Sequence, residues 1–310
     1  MRGPGALLGF LLVGMALLGV RCGEDSVQID FSRPAPASGA AASAPYGNPL
    51  RMAVAPVLSP AATSELYQRL AAYLGDRLGR PVELVQGRTY AEINDLVKSG
   101  DVTLALVCTN PYLQGQEDFG MEFLVAPQVN GDTVYYSLLI VGRGVTADSL
   151  ADLGGATFAF SDPLSNSGRL APLYQLALLG EDPDSFFGQT IFTYAHDRSI
   201  RAVAEGVVAA AAVDSLVYDY LRVTEPALIE KVRVIERWGP FGINPFVVNP
   251  RLSSELKAQL RQVFLEMDRD AEGRAILRDL QVDRFTVADD SIYDSVRQMR
   301  SYLREQGLAP

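Results

Sequence analysis

The chain has 310 residues, of which 48% are hydrophobic and 21% are charged, so it is neither disordered nor fibrous. Its formal net charge of -10 argues against broad binding to nucleic acid and against long-range attraction of anions. The length predicts one large domain or two of medium size. An anion site in such a chain must be local and built from N–H and O–H groups.

The first 21 residues are typical of an export signal. Arg2 supplies a positive start, and the uncharged run at residues 6–20 has the length of a signal-peptide core but is short for a membrane span. Cys22 stands where a bacterial lipoprotein carries its lipid, although Arg21 replaces the small residue that usually precedes it. We expect export to the periplasm or to the outer face of the cytoplasmic membrane, and lipid attachment at Cys22 stays open. An uncleaved hydrophobic anchor is the alternative.

Residues 22–49 are rich in Ala, Pro and Ser, most of all in PAPASGAAASAP at residues 34–45. This composition predicts a flexible linker between the signal and a folded part that begins at Leu50. Cys108 is the only other cysteine in the chain, which excludes a disulfide framework and favours a small buried residue at that position.

From Leu50 onward, apolar strands alternate with amphipathic helices. Strands are predicted at residues 50–57, 81–87, 102–108, 122–128, 134–142, 156–161, 190–196, 207–215, 232–238 and 245–249. Helices are predicted at residues 63–78, 90–98, 165–179 and 197–205, and from Ser253 and Asp289 onward. This alternation predicts parallel α/β sheets covered by helices, divided between two lobes. Ligands in such folds bind where strands end and helices begin.

A crowded polar turn, DPLSNSG at residues 162–168, follows one of these strands. Ser165, Asn166 and Ser167 are all good helix caps, although one helix needs only one of them. A helix start offers unpaired N–H groups and a partial positive charge, and both favour an anion. The three side chains would add donors, and Gly168 would let the backbone approach a ligand closely. A well-capped helix is the alternative.

Two further strand ends carry chemically useful side chains. His196 is the only histidine, and at a strand end it can donate a hydrogen bond to an oxyanion. Asp214 ends another apolar strand, where its carboxylate would accept from a protonated ligand oxygen or from an amine. A satisfied histidine and a helix N-cap are the alternatives. No metal site is predicted, because no second histidine or cysteine cluster accompanies His196.

The first part of the chain carries weaker signals. Tyr90 begins a helix directly after a strand, and Thr109 and Asn110 follow the strand at 102–108. Tyr135 and Tyr136 lie near the segment expected to join the lobes. No cofactor is predicted, because the chain has neither a glycine-rich dinucleotide fingerprint nor a P-loop.

DPLSNSG, YAHD-x4-AVAEG (194–206) and AVDS (212–215), in this order after an export signal, resemble the phosphate-, phosphite- and phosphonate-binding proteins of ABC importers. GRTY-x-E (87–92) and TNPY (109–112) are similar to that family too. The resemblance covers about residues 50–303. It implies a two-lobed periplasmic-binding-protein fold with two crossovers, an α/β fold in which each lobe is a mostly parallel sheet flanked by helices. Lobe one would comprise residues 50–140 and 246–310, and lobe two residues 141–245.

The resemblance also implies ligand-binding residues in the cleft between the lobes. They are Ser165, Asn166 and Ser167 with the Gly168 backbone around the phosphoryl oxygens, His196 on the same group, Tyr90 from lobe one, and Asn110 and Asp214. The chain departs from the family at three places, which leaves the ligand's identity open. Asn166 replaces a frequent Thr, Cys108 lacks a nearby aromatic residue, and Ala209 replaces a frequent Asp.

The resulting hypothesis is the solute-binding component of an ABC importer. It would capture a small phosphorus oxyanion (phosphonate, phosphite or phosphate) and deliver it to the membrane permease and ATPase subunits. We expect a monomer that touches the membrane only through a lipid on Cys22, and not an enzyme, since the chain offers little for a covalent step. A sensing module for a membrane kinase is one alternative. An enzyme on the same fold, with His196 as acid or base and Cys108 as nucleophile, is the other.

Overall fold

The computed structural model describes residues 48–308, apart from the side chains of residues 60–63 and 184. The predicted signal at 1–21, Cys22 and nearly all of the linker at 22–49 lie outside the described residues. In the part that is described, we find no helix with both the length and the apolar character needed to cross a membrane.

Residues 48–308 form strands and helices in alternation. The strands are β1 Leu50–Val54, β2 Val82–Gln86, β3 Leu104–Leu106, β4 Glu122–Gln128, β5 Val134–Gly142, β6 Thr157–Phe160, β7 Gln189–Phe192, β8 Ala210–Asp214, β9 Val232–Gly242, β10 Phe246–Val248 and β11 Arg284–Thr286. The helices are α1 Pro60–Leu78, α2 Tyr90–Ser99, α3 Thr109–Phe119, α4 Ala171–Leu179, α5 Pro183–Phe186, α6 His196–Ala204, α7 Ser215–Thr224, α8 Pro226–Ile229, α9 Ser254–Glu266, α10 Ala271–Asp279 and α11 Asp294–Glu305. A π-helical turn at Asn166–Leu170 leads into α4, and 3-10 turns lie at Leu150–Leu153, Met267–Arg269 and Asp290–Tyr293.

The strands form two sheets, which define the two lobes. The first sheet has the order β11-β4-β10-β3-β1-β2, and the second has the order β7-β6-β8-β5-β9. The chain crosses between them twice, at residues 129–133 and 243–245. β5 pairs wholly within the second sheet, whereas the predicted boundary at residue 140 assigned most of this strand to lobe one. The sheet pairing therefore places the first crossing before Val134.

Within each sheet most strands run in the same direction, as expected, although strands inserted in the opposite direction make many neighbouring pairs antiparallel. Four of the nine strand pairings are parallel and five are antiparallel. The reversed strands β10 and β5 follow the two crossings and insert between strands of the sheet that they enter. The other strands, apart from β11, share one direction within each sheet. Their carboxyl ends therefore meet at one edge, where the polar turns lie.

Local sequence signals fix the helix starts and ends that border the cleft between the lobes. Thr89 caps α2, because its side chain accepts a hydrogen bond from the backbone N–H of Glu92. The same helix ends at Gly100, which adopts the left-handed conformation with φ of 85°. These two signals place Tyr90 in the first turn of α2, directly after β2.

The apolar core runs through both lobes. One cluster lies between the first sheet and helices α1, α9 and α10, and includes Met52, Leu70 and Phe264. A second cluster is shared by the two sheets and extends from Tyr112 to Phe158. Since packed cores resist deformation, these clusters hold the turns at the strand ends in place within each lobe.

Candidate ligand-binding site

The polar turns predicted to carry chemistry meet between the two sheets. Ser165, Asn166, Ser167, His196 and Asp214 are completely buried, although all five side chains are polar or ionisable. Such groups stay buried only when they are hydrogen-bonded or serve a function. The partners of each group therefore decide what the site can do.

The turn between β6 and α4 uses Ser165, and not its neighbours, as the helix cap. The Ser165 hydroxyl accepts from the Gly168 backbone N–H at 3.0 Å. Asn166 Nδ2 donates to the Tyr135 hydroxyl at 2.9 Å, and the Ser167 carbonyl accepts from Ser137 Oγ at 2.7 Å. Both of these partners lie on β5, so the second sheet braces the turn. Capping thus accounts for one of the three polar residues.

Three buried polar atoms of the site have no hydrogen-bond partner within residues 48–308. They are the Ser167 hydroxyl, the Tyr90 hydroxyl and Asn166 Oδ1. An unpaired buried polar group costs about 1–3 kcal/mol, so native structures rarely retain one without a reason. Tyr90 comes from lobe one and lies within electrostatic reach of Tyr135, to which Asn166 is bonded. The unpaired atoms therefore lie in one region, and both lobes supply them.

His196 is held as a neutral donor. The backbone N–H of Asp214 donates to Nδ1 at 3.1 Å, so the ring proton of the neutral side chain lies on Nε2. Nε2 lies 3.4 Å from the hydroxyl oxygens of both Ser161 and Ser165. Burial lowers the pKa of His196 to about 3. At neutral pH, His196 offers a single uncharged N–H on the side of the serine-rich turn.

Both carboxylate oxygens of Asp214 accept hydrogen bonds within the protein. Its Oδ1 accepts from the Leu216 backbone N–H at 2.8 Å, which confirms the N-cap interpretation for α7. Its Oδ2 accepts from Asn244 Nδ2 at 3.3 Å. Burial raises the pKa of Asp214 to about 7, against the opposing effect of these two bonds. Asp214 also lies within electrostatic reach of Tyr90 and Cys108, so it borders the same region.

Two of the predicted ligand-binding residues have other contacts in the structure. Both ends of the Asn110 amide are engaged, since Nδ2 donates to the Leu164 carbonyl at 3.0 Å and Oδ1 accepts from Arg300. A Cβ atom on Gly168 would lie 1.8 Å from Ser161 Oγ and 3.0 Å from His196 Cε1. Gly168 therefore lets Ser161 and His196 pack against the turn, which is a different reason for a glycine than ligand approach.

Sequence reasoning missed several residues that border the site. Ser161 lies beside His196, and Ser137 braces Ser167 from a different strand. Asp162 and Asp197 both bond to groups of lobe one. The sequence predicted a helix that begins at Asp197, but α6 begins at His196 and follows Ala195. The only signal in the sequence that Asp197 borders the site was its position directly after His196.

The site is built from neutral donors. In the described part of the chain, Arg300 is the only cation among the buried charged residues, and it pairs with Glu117 at 2.8 Å. Burial raises the pKa of the Cys108 thiol to about 12, so Cys108 is not a thiolate at neutral pH and is a poor nucleophile. No group of three His, Cys, Asp or Glu residues that could hold a metal ion occurs among the residues searched, 48–308.

Comparison with known proteins adds the family. Residues 52–293 match the family model described as ABC transporter, phosphonate, periplasmic substrate-binding protein. The chain belongs to this family. Members of this phosphonate-binding family are substrate-binding proteins of ABC transporters and not enzymes, which agrees with the expected absence of catalysis.

Individual relatives of the phosphonate-binding family show the same fold. The chain is 26% identical to the phosphonates-binding periplasmic protein of Escherichia coli (strain K12) over 193 residues, which are 61% of this chain and 57% of that protein. The matched segment thus spans less than two thirds of that relative. A binding protein component of an ABC phosphonate transporter from Pseudomonas aeruginosa superposes with a TM-score of 0.78 and 25% identity, over 83% of this chain and 87% of that one.

A third relative supports the fold alone. PhnD1 from Prochlorococcus marinus, solved in complex with methylphosphonate, superposes with a TM-score of 0.75 at 19% identity, over 83% of this chain and 98% of that one. Together with the two sheets, these likenesses confirm the expected two-lobed α/β fold of a periplasmic binding protein.

Proposed function

We propose that this member of the phosphonate-binding family captures a small phosphorus oxyanion between its lobes and delivers it to the permease of an ABC importer. The observation that supports this proposal is the pair of buried hydroxyls without a protein partner, Ser167 Oγ from lobe two and Tyr90 OH from lobe one. A tetrahedral oxyanion has several acceptor oxygens, so it can satisfy donors that approach from both lobes at once.

The chemistry of the donors fits this class of ligand. The ligand would accept from the hydroxyls of Ser167 and Tyr90 and from the Nε2 proton of His196, with Ser165 and Asn166 at the same turn. Hydrogen bonds to a charged group contribute about 1.5–3 kcal/mol each, so a few of them support micromolar binding without a permanent cation. Asp214 would accept from a P–OH or from an amine on the ligand.

The cellular setting belongs to the same proposal. The relatives are periplasmic by name, and the sequence at residues 1–21 predicts export. We place the protein in the periplasm or on the outer face of the cytoplasmic membrane, as a monomer that delivers ligand to permease and ATPase subunits. Lipid attachment at Cys22 remains part of this prediction.

A ligand panel tests the proposal. Thermal unfolding is measured with phosphate, phosphite, methylphosphonate and 2-aminoethylphosphonate, and with sulfate and L-arginine as controls. A ligand present at about 1,000 times its Kd raises the free energy of unfolding by about 4 kcal/mol. We expect this rise with at least one phosphorus oxyanion and not with arginine. If only sulfate or L-arginine stabilises the protein, the proposed ligand class is wrong.

A further inference from the structure

Two aspartates beside the ligand-binding turns bond across the cleft. Asp162 begins the DPLSNSG turn, and its Oδ2 accepts from the Tyr90 backbone N–H at 3.1 Å. Asp197 follows His196, and its carboxylate accepts from the Ser59 backbone N–H at 2.9 Å and from Ser59 Oγ at 2.6 Å. Asp162 is 1% exposed and Asp197 is 3% exposed, so lobe one covers both carboxylates.

Each carboxylate lies at the start of a helix of the opposite lobe. Ser59 directly precedes α1, and Tyr90 is the first residue of α2. The first turn of a helix has unpaired backbone N–H groups and a partial positive charge, and both favour a carboxylate. The two contacts are therefore charge-assisted hydrogen bonds, which are stronger than bonds between neutral groups.

Two more bonds cross the cleft from the same two turns. The His196 backbone N–H donates to the Val57 carbonyl at 3.0 Å, and Asn110 Nδ2 donates to the Leu164 carbonyl at 3.0 Å. Every one of these four contacts lies within a few residues of Ser165 or His196. Moving lobe one away from lobe two would break them and would separate Tyr90 from Ser167 and His196.

We propose that Asp162 and Asp197 are positioning residues that latch the lobes together, so that Tyr90, Ser167 and His196 form one site, without touching the ligand themselves. The role in ligand binding rests on the proposed function, and the role in closure does not. Electrostatics supports the assignment. Two buried carboxylates near an anion site repel the anion, so they oppose binding unless they contribute in another way. Their bonds to the opposite lobe are that contribution.

The latch predicts that ligand affinity depends on residues that make no ligand contact. When only the closed form binds, the apparent Kd equals the intrinsic Kd divided by the closed fraction. Loosening either carboxylate lowers that fraction. The loss should appear in the apparent Kd and in faster opening of the cleft, whichever phosphorus oxyanion is bound.

Hydrogen exchange of three backbone amides tests closure without any ligand. The amides of Ser59, Tyr90 and His196 donate the cross-cleft bonds. We expect Asp197→Ala to accelerate exchange at all three, by at least about tenfold, because one opening event exposes them together. Acceleration at Ser59 alone would show that Asp197 is only a local cap and would overturn the latch.

Three variants make this experiment specific. Asp197→Asn keeps the shape and one acceptor, so it should restore most of the protection, and Ser59→Ala removes only the hydroxyl partner. Asp270→Ala is the matched control, because Asp270 accepts from the Gly273 N–H at 2.9 Å and from the Tyr73 hydroxyl at 2.6 Å within lobe one. Asp270→Ala should leave the three amides protected. If it accelerates them as Asp197→Ala does, a general loss of stability explains the effect and the latch is wrong.

Calorimetry with methylphosphonate measures the effect on binding. We expect Asp162→Asn, Asp197→Ala and Ser59→Ala each to weaken binding by at least about fivefold, with Ser59→Ala and Asp197→Ala non-additive in the double variant, since the two residues share one contact. Wild-type affinity in all of them would overturn the latch. If the wild-type protein binds none of the phosphorus oxyanions, the proposed function fails, and the exchange experiment still decides whether the latch exists.

Discussion

The turn after β6 and the turn after β3 occupy equivalent places at the ends of strands in the two lobes, and both are polar. In the β6 turn, Ser167 Oγ and Asn166 Oδ1 have no protein partner in the described structure. In the β3 turn, both ends of the Asn110 amide are bonded, and Thr109 Oγ1 donates to the Gly242 carbonyl at 2.6 Å. One turn keeps a hydroxyl and an amide oxygen unpaired at the expense of stability, and the other uses its polar groups to join parts of the chain.

This difference distinguishes the proposed ligand site from a structural contact better than residue type does. Both turns contain an asparagine and a hydroxyl residue, so composition does not distinguish them. Asp214 resembles the β6 turn in this respect, because burial disfavours the charge of its carboxylate. The predictions that follow test whether groups of the lobe-two turns lower stability while those of the β3 turn raise it.

The largest expected effect is that of Asp214→Asn, and it depends on pH. The pKa of Asp214 is about 7 in the folded protein and about 3.8 in the unfolded chain. Its contribution to stability is therefore fully present below pH 3.8 and is lost as the pH rises to 7. Asn caps helices as well as Asp does, so Asp214→Asn should raise the free energy of unfolding above pH 7, by up to about 4 kcal/mol, and leave it unchanged near pH 3.5. Urea unfolding across this range measures the difference.

The contribution of His196 to stability changes with pH in the opposite direction to that of Asp214, and it serves as an internal check. Its pKa is about 3 when folded, against an ordinary value of 6.5, so wild-type stability from this group falls as the pH drops below 6.5. In the wild type, the two slopes oppose each other between pH 3.8 and 6.5. In Asp214→Asn, the opposing contribution of Asp214 is absent. The contribution of His196 should then make the free energy of unfolding fall on acidification. An unchanged pH profile in this variant would contradict the buried, unfavourable charge at Asp214.

Gly168→Ala should have the next largest effect. The new Cβ would collide with Ser161, next to His196, so we expect a loss of about 1–3 kcal/mol in unfolding free energy, together with weaker binding. Gly115→Ala in α3 of lobe one is the matched control, since its Cβ would meet the flexible end of Met121 at 2.5 Å. Chemical unfolding of both variants measures the difference. Equal losses would show that the β6 turn is no more constrained than α3.

Much of the fold could be predicted from the sequence, because the period of apolar residues and the cap residues act locally. Every strand and helix predicted between residues 50 and 308 has a counterpart in the structure. Several elements were missed, among them α3, α10 and β11. α3 contains Pro111 and Gly115, and the second is tolerated because Met121 packs against it. β11 has only three residues, which are too few to show the alternation of a strand. α10 lies before it, between α9 and β11.

The sequence pointed to the candidate site but not to the hydrogen-bond partners of its residues. Polar turns at strand ends pointed to Ser167, His196 and Tyr90, and the structure buries all three. Whether a polar side chain is free depends on residues far away along the chain. Asn110 is bonded to Arg300, and Ser59 is bonded to Asp197, 138 positions away. No local pattern reports such a contact, so Asn110 could not be told from Asn166.

Ser167→Ala and Tyr90→Phe should separate binding from stability. Each removes one hydroxyl proposed to contact the ligand, so the affinity for methylphosphonate or phosphite should fall by about tenfold or more. Each also removes a buried unpaired polar group, so the free energy of unfolding without ligand should rise, by about 1 kcal/mol. Calorimetry and urea unfolding measure the two effects. Tyr73→Phe, which removes a hydroxyl bonded to Asp270, is the control and should lower stability without affecting binding.

Thr109→Val should show the reverse behaviour, with the smallest effect. Valine has the shape of threonine but no donor, so the Gly242 carbonyl loses the bond that it receives at 2.6 Å. Since a buried hydrogen bond is lost, we expect the free energy of unfolding to fall by about 1 kcal/mol while oxyanion affinity changes by less than about twofold. Calorimetry and urea unfolding of both variants measure the contrast. Thr109→Val should lower mainly the free energy of unfolding, and Ser167→Ala should lower mainly the affinity for the ligand. A loss of affinity in Thr109→Val without a loss of stability would show that the β3 turn contributes to ligand binding. The two turns would then not differ in function.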